Sequence, residues 1–182
     1  MGAQSFDDRR IVLAGFGGQG VLFAGKAIAY TGLISEREVS WLPSYGPEMR
    51  GGTANCSVSL AKDPIGSPLV TVPQVLVAMN QPSLDKFADA VEPGGLIIAD
   101  STLAPTLPSR ADVTVKAVPA TELAEKAGLK GLGNIVLVGA LFAADPFCDE
   151  DVLFAAIDKC VPPKKAALID KNKQALKLGM EA

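Results

Sequence analysis

Residues 11–29 read IVLAGFGGQGVLFAGKAIA. Ile11, Val12, Leu13 and Ala14 are apolar on both faces, and Gly15 ends the run, as in a buried parallel strand over 11–15. A helix is expected over residues 18–32. Val21, Leu22, Ala24, Ala27, Ile28 and Tyr30 give it a broad apolar surface, and Gly32 suits its C-terminal cap. Between strand and helix lies Gly15-x-Gly17-x-x-Gly20, the spacing of a dinucleotide-binding turn.

Each glycine has a physical task in that turn. Gly15 lets the chain leave the strand sharply. Gly17 and Gly18, beside Gln19, have no Cβ to hold a ligand away from the backbone. Gly20 lets the next helix pack closely. The unpaired N–H groups at the helix start favour an anion. A nicotinamide dinucleotide asks for more: an acid at the end of the second strand, to hold the ribose hydroxyls. The second strand, residues 37–42, is stopped by Pro43 and Ser44, while Glu36 and Glu38 lie at its beginning. A small NAD- or FAD-binding oxidoreductase therefore rests on the glycines alone.

The rest of the chain continues the alternation. Strands are expected at 53–60, 74–79, 96–100 and 112–118. A helix with proline at its start is expected over 82–92, and helices over 120–127, 134–144, 149–159 and 163–180. Strands 37–42 and 53–60 are joined by too few residues for a helical crossover, so that pair should be antiparallel. The expectation is one α/β domain over residues 1–182: three Rossmann-like layers, with a mixed, mostly parallel sheet and helices on both faces.

Composition narrows the function. With 182 residues the chain can bury a real core. Aromatics are 5% and the net charge is −3, which argue against nucleic-acid binding. Mean hydropathy is +0.27, yet no apolar run reaches the ~18 residues of a membrane span. No signal core precedes Ile11, so a cytoplasmic location is expected. The three cysteines, Cys56, Cys148 and Cys160, are too scattered for a disulfide framework or an iron–sulfur site. Histidine is absent, which removes the commonest general base and zinc ligand. No catalytic residue and no metal ligand is assigned.

The second informative stretch is SYGPEMRGGTANCSVSL, residues 44–60. Glu48 and Arg50 stand between Gly46-Pro47 and Gly51-Gly52. An arginine beside two glycines can clamp a phosphate or carboxylate bidentately, or it can pair with Glu48. Gln81 and Asn80 end one strand and Asp100 and Ser101 another, where α/β sheets place ligands. Asn134 follows Gly133 at a helix start, either as a cap or as a ligand group. Lys164, Lys165, Lys171, Lys173 and Lys177 form a solvated face or a docking surface for an acidic neighbour.

The pair GFGGQG and SYGPEMRGG resembles the γ subunit of the 2-oxoacid:ferredoxin oxidoreductases. Gly15, Gly17, Gly18, Gln19, Gly20, Tyr45, Gly46, Glu48, Arg50, Gly51 and Gly52 carry the resemblance. Residues 77–87, 94–103 and 133–141 support it. The resemblance implies a complex that oxidatively decarboxylates a 2-oxo acid to an acyl-CoA and passes electrons to ferredoxin. It implies thiamine diphosphate on α and β subunits and iron–sulfur clusters elsewhere, often on a δ subunit, with none of these in this chain. Coenzyme A is expected at a shared site, on this side at Gly15, Gly17, Gly18, Gln19, Gly20, Glu48, Arg50, Gly51, Gly52, Asn80 and Asn134. The 2-oxoglutarate branch is the expected substrate class, with pyruvate and branched-chain 2-oxo acids open. The chain alone is expected to be inactive, and its self-association is left open.

Overall fold

The computed structural model describes residues 6–45 and 53–182. The second glycine loop, with Gly46, Glu48, Arg50, Gly51 and Gly52, lies outside the described residues. Six strands form one sheet: β1 (Arg9–Phe16), β2 (Glu38–Tyr45), β3 (Thr53–Ala61), β4 (Val75–Ala78), β5 (Leu96–Asp100) and β6 (Thr114–Val118). Their order is β2-β3-β1-β4-β5-β6. β3 runs antiparallel to both β1 and β2, while β1, β4, β5 and β6 are mutually parallel. The sheet is mixed and mostly parallel, as the short 37–60 connection requires.

The helices are α1 (Val21–Ile34), α2 (Gln81–Phe87), α3 (Ala120–Lys126), α4 (Gly133–Ala144), α5 (Glu150–Cys160) and α6 (Ile169–Met180). They cover both faces unequally. One face buries Ile11, Leu13, Cys56, Val58, Leu60, Val75 and Val77 against α1 and α4, with α3, α5 and α6 packed around these two. The other face, with Val12, Leu76, Ala78, Ile97 and Ala99, is covered by Leu84 of α2, Ala88 and Val91 behind it, and the loop residues Val70 and Ala104. α4 is apolar all round because it is enclosed: every residue from Asn134 to Leu141 is buried.

Several expected boundaries move. β2 continues through Pro43 to Tyr45. It is an edge strand, where a proline is tolerated when its missing N–H lies on the open side. α1 runs past Gly32 to Ile34, with Ser35 at its C-cap. Gly32 is not the cap. A Cβ there would lie 2.7 Å from a Leu60 methyl carbon, so this glycine seats α1 on β2 and β3. The helix expected over 82–92 is a short α2 followed by a 3-10 turn, Ala88–Ala90. The helix expected over 163–180 is likewise divided: Pro163–Leu168 is a 3-10 turn and α6 follows it.

The thiols are structural. Burial pushes Cys56 and Cys148 up to about 12 and Cys160 to about 11, from an ordinary value of about 9. They remain protonated near neutrality and make poor nucleophiles. The native chain should therefore be silent to a thiol reagent at pH 8, and all three should react in denaturant. The linkage has a definite sign. Thiols with raised native values hold protons that the unfolded chain releases. Their stabilisation is complete below pH 9 and falls as pH rises toward 12. A melting temperature that held constant over that range would contradict this account.

Candidate functional site

The parallel order sets the location. The chain leaves β1 toward β2 and β3 on one side and returns to place β4 on the other. The crevice above the C-terminal ends of β1 and β4 is a topological switch point, where open α/β sheets bind ligands. It is bounded by the turn Gly17–Gly20 and by Met79 and Asn80. A cavity of about 250 Å³ continues beside it, lined in part by Gly18, Gln19, Met79, Asp100, Lys130 and Asn134.

The glycine turn is held by side chains. Gln19 Oε1 accepts from Phe16 N at 2.6 Å and from Asn80 Nδ2 at 2.7 Å, and Gln19 Nε2 donates to Met79 O at 3.0 Å. One side chain thus ties the end of β1 to the end of β4. Asn80 is the N-cap of α2, accepting from Ser83 N at 3.0 Å. Both residues shape the crevice floor, a task that strand spacing alone does not reveal. Gln19→Ala would strand Phe16 N and Met79 O in a part-buried setting. It should cost about 2–3 kcal/mol in denaturant unfolding, at the upper end for a lost hydrogen-bonded group. A cost below ~0.5 kcal/mol would show that the strap is dispensable.

The glycines divide their roles differently from the sequence expectation. Gly15 sits inside β1, where a Cβ would meet Gln19 Oε1 at 2.8 Å and Val21 at 2.9 Å. It makes room for the strap rather than bending the chain. Gly18 and Gly20 carry the bend, with φ of 96° and 76°, values that favour glycine. Gly20 is the N-cap of α1. The space its Cβ would fill belongs to Asn134, so Gly20 brings α1 close to α4 rather than to the sheet.

Asn134 is not a helix cap. Leu132 holds that position, and Asn134 Nδ2 donates to Gly20 O at 3.0 Å. This contact joins the starts of α1 and α4 at one cavity. Asn134 Oδ1 is buried and has no hydrogen-bond partner among the described residues. Asp100, 2% exposed, accepts from Thr121 Oγ1 at 2.5 Å, Thr121 N at 3.2 Å and Thr102 N at 3.1 Å. Its carboxylate anchors the start of α3. Gln81 is turned away from the crevice, bonded to Asp85 and to both backbone groups of Thr106.

The first-turn N–H groups of α1 remain available. Gln19 N donates to Phe16 O at 3.2 Å and Ala24 N to Gly20 O at 3.0 Å. Those of Val21, Leu22 and Phe23 have no backbone acceptor among the described residues, as at any helix start. The turn therefore presents donors and a helix dipole to an anion. Arg37, just before β2, is at the other end of the sheet from this turn. It donates to Asp7 O at 2.7 Å, Leu60 O at 3.1 Å and Phe147 O at 3.2 Å. Among the described residues no group of three or more His, Cys, Asp or Glu is placed to hold a metal ion. No described helix is long and apolar enough to cross a membrane. Of the lysine face, Lys173 pairs with Asp158 at 2.7 Å and Lys177 lies over the Phe154 ring.

Known proteins share this architecture. The chain is 43% identical over 97% of its length to the ketoisovalerate oxidoreductase subunit VorA of Methanothermobacter thermautotrophicus, but it spans only 36% of that subunit. It is 34% identical to the 2-oxoglutarate synthase subunit KorC of Methanocaldococcus jannaschii, over 95% of this chain and 92% of KorC. The crystal structure of a keto/oxoacid ferredoxin oxidoreductase γ subunit from Geobacter sulfurreducens superposes with a TM-score of 0.82 at 26% identity, over 95% of this chain and 96% of that one. A 2-oxoglutarate:ferredoxin oxidoreductase from Magnetococcus marinus, solved with 2-oxoglutarate, coenzyme A and succinyl-CoA bound, shares the fold, with a TM-score of 0.85 at 22% identity. The chain covers 97% of its own length and 31% of that polypeptide's in the match. The family model for pyruvate ferredoxin/flavodoxin oxidoreductase matches residues 10–182, and the chain belongs to that family.

Proposed function

We propose that this chain is the γ-type subunit of a 2-oxoacid oxidoreductase complex and supplies one wall of its coenzyme A site. The observation that carries the reading is the crevice at the β1–β4 switch point, with its open α1 start and strapped glycine turn, in a chain of this family. In the proposed reaction the bond between C1 and C2 of the 2-oxo acid breaks and carbon dioxide leaves. The acyl carbon forms a thioester with the thiol sulfur, a proton is released and two electrons pass to ferredoxin. Thiamine diphosphate and iron–sulfur clusters would be held by α, β or δ subunits.

The residues present fit the anionic half of coenzyme A. Gly18 and Gly20 keep the turn free of side chains, and the α1 start offers unpaired donors to a pyrophosphate. Arg50, on the second loop, is proposed as a charged clamp. At about 250 Å³ the cavity holds part of the coenzyme, since pockets for drug-sized ligands already measure roughly 300–1,000 Å³. The remainder would lie against partner subunits. Identity to subunits named for ketoisovalerate and for 2-oxoglutarate is 43% and 34%. One fold serving differently named 2-oxo acids supports placing substrate choice in another polypeptide. The 2-oxoglutarate expectation keeps the support of the KorC relatives.

The test is purification of the native protein with its partners. The complex should reduce an acceptor when given a 2-oxo acid and coenzyme A, and this chain alone should not. Activity of the isolated chain with a 2-oxo acid and a dye would overturn the reading. The NAD or FAD alternative gains nothing from the site, because among the described residues the end of β2, Pro43 to Tyr45, offers no acid to a ribose.

A further inference from the structure

A third glycine loop borders the same cavity. Gly128-Leu129-Lys130-Gly131-Leu132 connects α3 to α4, whose first residue is Gly133, and Lys130, Gly131, Gly133 and Asn134 line the space. Gly128 and Gly131 have φ of 71° and 85°. A Cβ on either would meet nothing within 4 Å, so these glycines serve the backbone path and not packing. The loop is fixed in place. Leu129 is buried, its N–H donates to Ala124 O at 2.8 Å, and Leu132 N donates to Leu129 O at 3.0 Å. Lys130 stands exposed between the two glycines and forms no ion pair with a described residue.

The loop runs directly into α4. Ile135 N and Val136 N both donate to Leu132 O, which leaves Gly133 N and Asn134 N without a backbone acceptor among the described residues. Asn134, 7% exposed, adds a buried Oδ1 with no partner among the described residues. Two helix starts, a free ammonium group and an unsatisfied buried amide thus surround one cavity. The charges lining it are Asp100, Glu125 and Lys130. A ligand with several phosphates cannot enter it whole without meeting two carboxylates. Its phosphates must be divided between the two rims, with a neutral, hydrogen-bond-donating part between them.

We infer that Lys130 and the start of α4 form a second phosphate subsite, separate from the α1 turn, that takes a phosphate monoester. The inference rests on the coenzyme A reading above. With the pyrophosphate on the α1 turn, the group reaching Lys130 is the 3′-phosphate.

Calorimetry on the assembled complex, in phosphate-free buffer, tests it with coenzyme A and with 3′-dephospho-coenzyme A as probes. The unmodified complex should bind coenzyme A at least tenfold more tightly. Lys130→Ala should remove that preference and Lys130→Arg should keep most of it, while the melting temperature stays unchanged because the side chain is exposed. Equal affinity for the two probes in the unmodified complex would overturn the inference. So would an equal loss for both probes in Lys130→Ala, or no loss for either. If coenzyme A also leaves amide exchange in residues 17–22 of the complex unchanged, the coenzyme A reading itself fails. If Arg50→Ala weakens both probes and Lys130→Ala neither, only the subsite fails.

Discussion

Gly139→Ala should lower stability by about 3 kcal/mol or more, although helix propensity alone favours alanine by ~1 kcal/mol. The reason is the crossing of α4 and α6. A Cβ on Gly139 would run into Leu176 O and lie 3.1 Å from Met180 N. A Cβ on Gly179 would run into Val136 O and lie 2.9 Å from Ala140 N. The two helices meet backbone to backbone, and a backbone carbonyl cannot step aside as a side chain can. The helices must separate, and α4 is the enclosed helix on which α1, α3 and α6 also rest. A loss of about 3 kcal/mol is a large part of an ordinary domain's stability and corresponds to a fall of roughly 6–12 °C in Tm. Gly179→Ala should behave alike. Gly66→Ala is the control: Gly66 has open space around it, and its change should stay within ~0.5 kcal/mol. Stabilisation by Gly139→Ala would mean that propensity outweighs the crossing and that α6 is not held this way.

Arg50→Ala should raise KM for coenzyme A in the complex by about ten- to a hundredfold, with kcat much less affected. An arginine bonded to a phosphate contributes roughly 1.5–3 kcal/mol, which sets that range. Lysine at this position should recover only part of the loss, because it lacks the planar fork. The dependence on the 2-oxo acid should not change if that substrate is bound by another subunit. An unchanged KM for coenzyme A would remove Arg50 from the site.

The sheet and the first turn were legible because their signals are local. An apolar run followed by spaced glycines dictates strand, turn and helix within twenty residues, and a short connection forces β2 and β3 into a hairpin. Other features depend on residues far apart in the chain. Gly32 has the look of a cap, but Val39 and Leu60 need the space over it. Asn134 follows a glycine as a cap would, yet its partner is Gly20, 114 residues earlier. Gly139 and Gly179 give no sign in sequence that they face one another. The loop 128–133 did carry a readable signal, glycines at 128, 131 and 133 around a lysine and just before an asparagine. Read only as a gap between helices, it concealed part of the cavity's lining.

The central claim is that this chain forms one wall of a coenzyme A site completed by its partners. Amide hydrogen exchange of the assembled complex, with and without coenzyme A, tests it most directly. Coenzyme A should slow exchange in residues 17–22 and 130–134, and have no such effect on the isolated chain. Protection confined to partner subunits, with these segments unchanged, would contradict it.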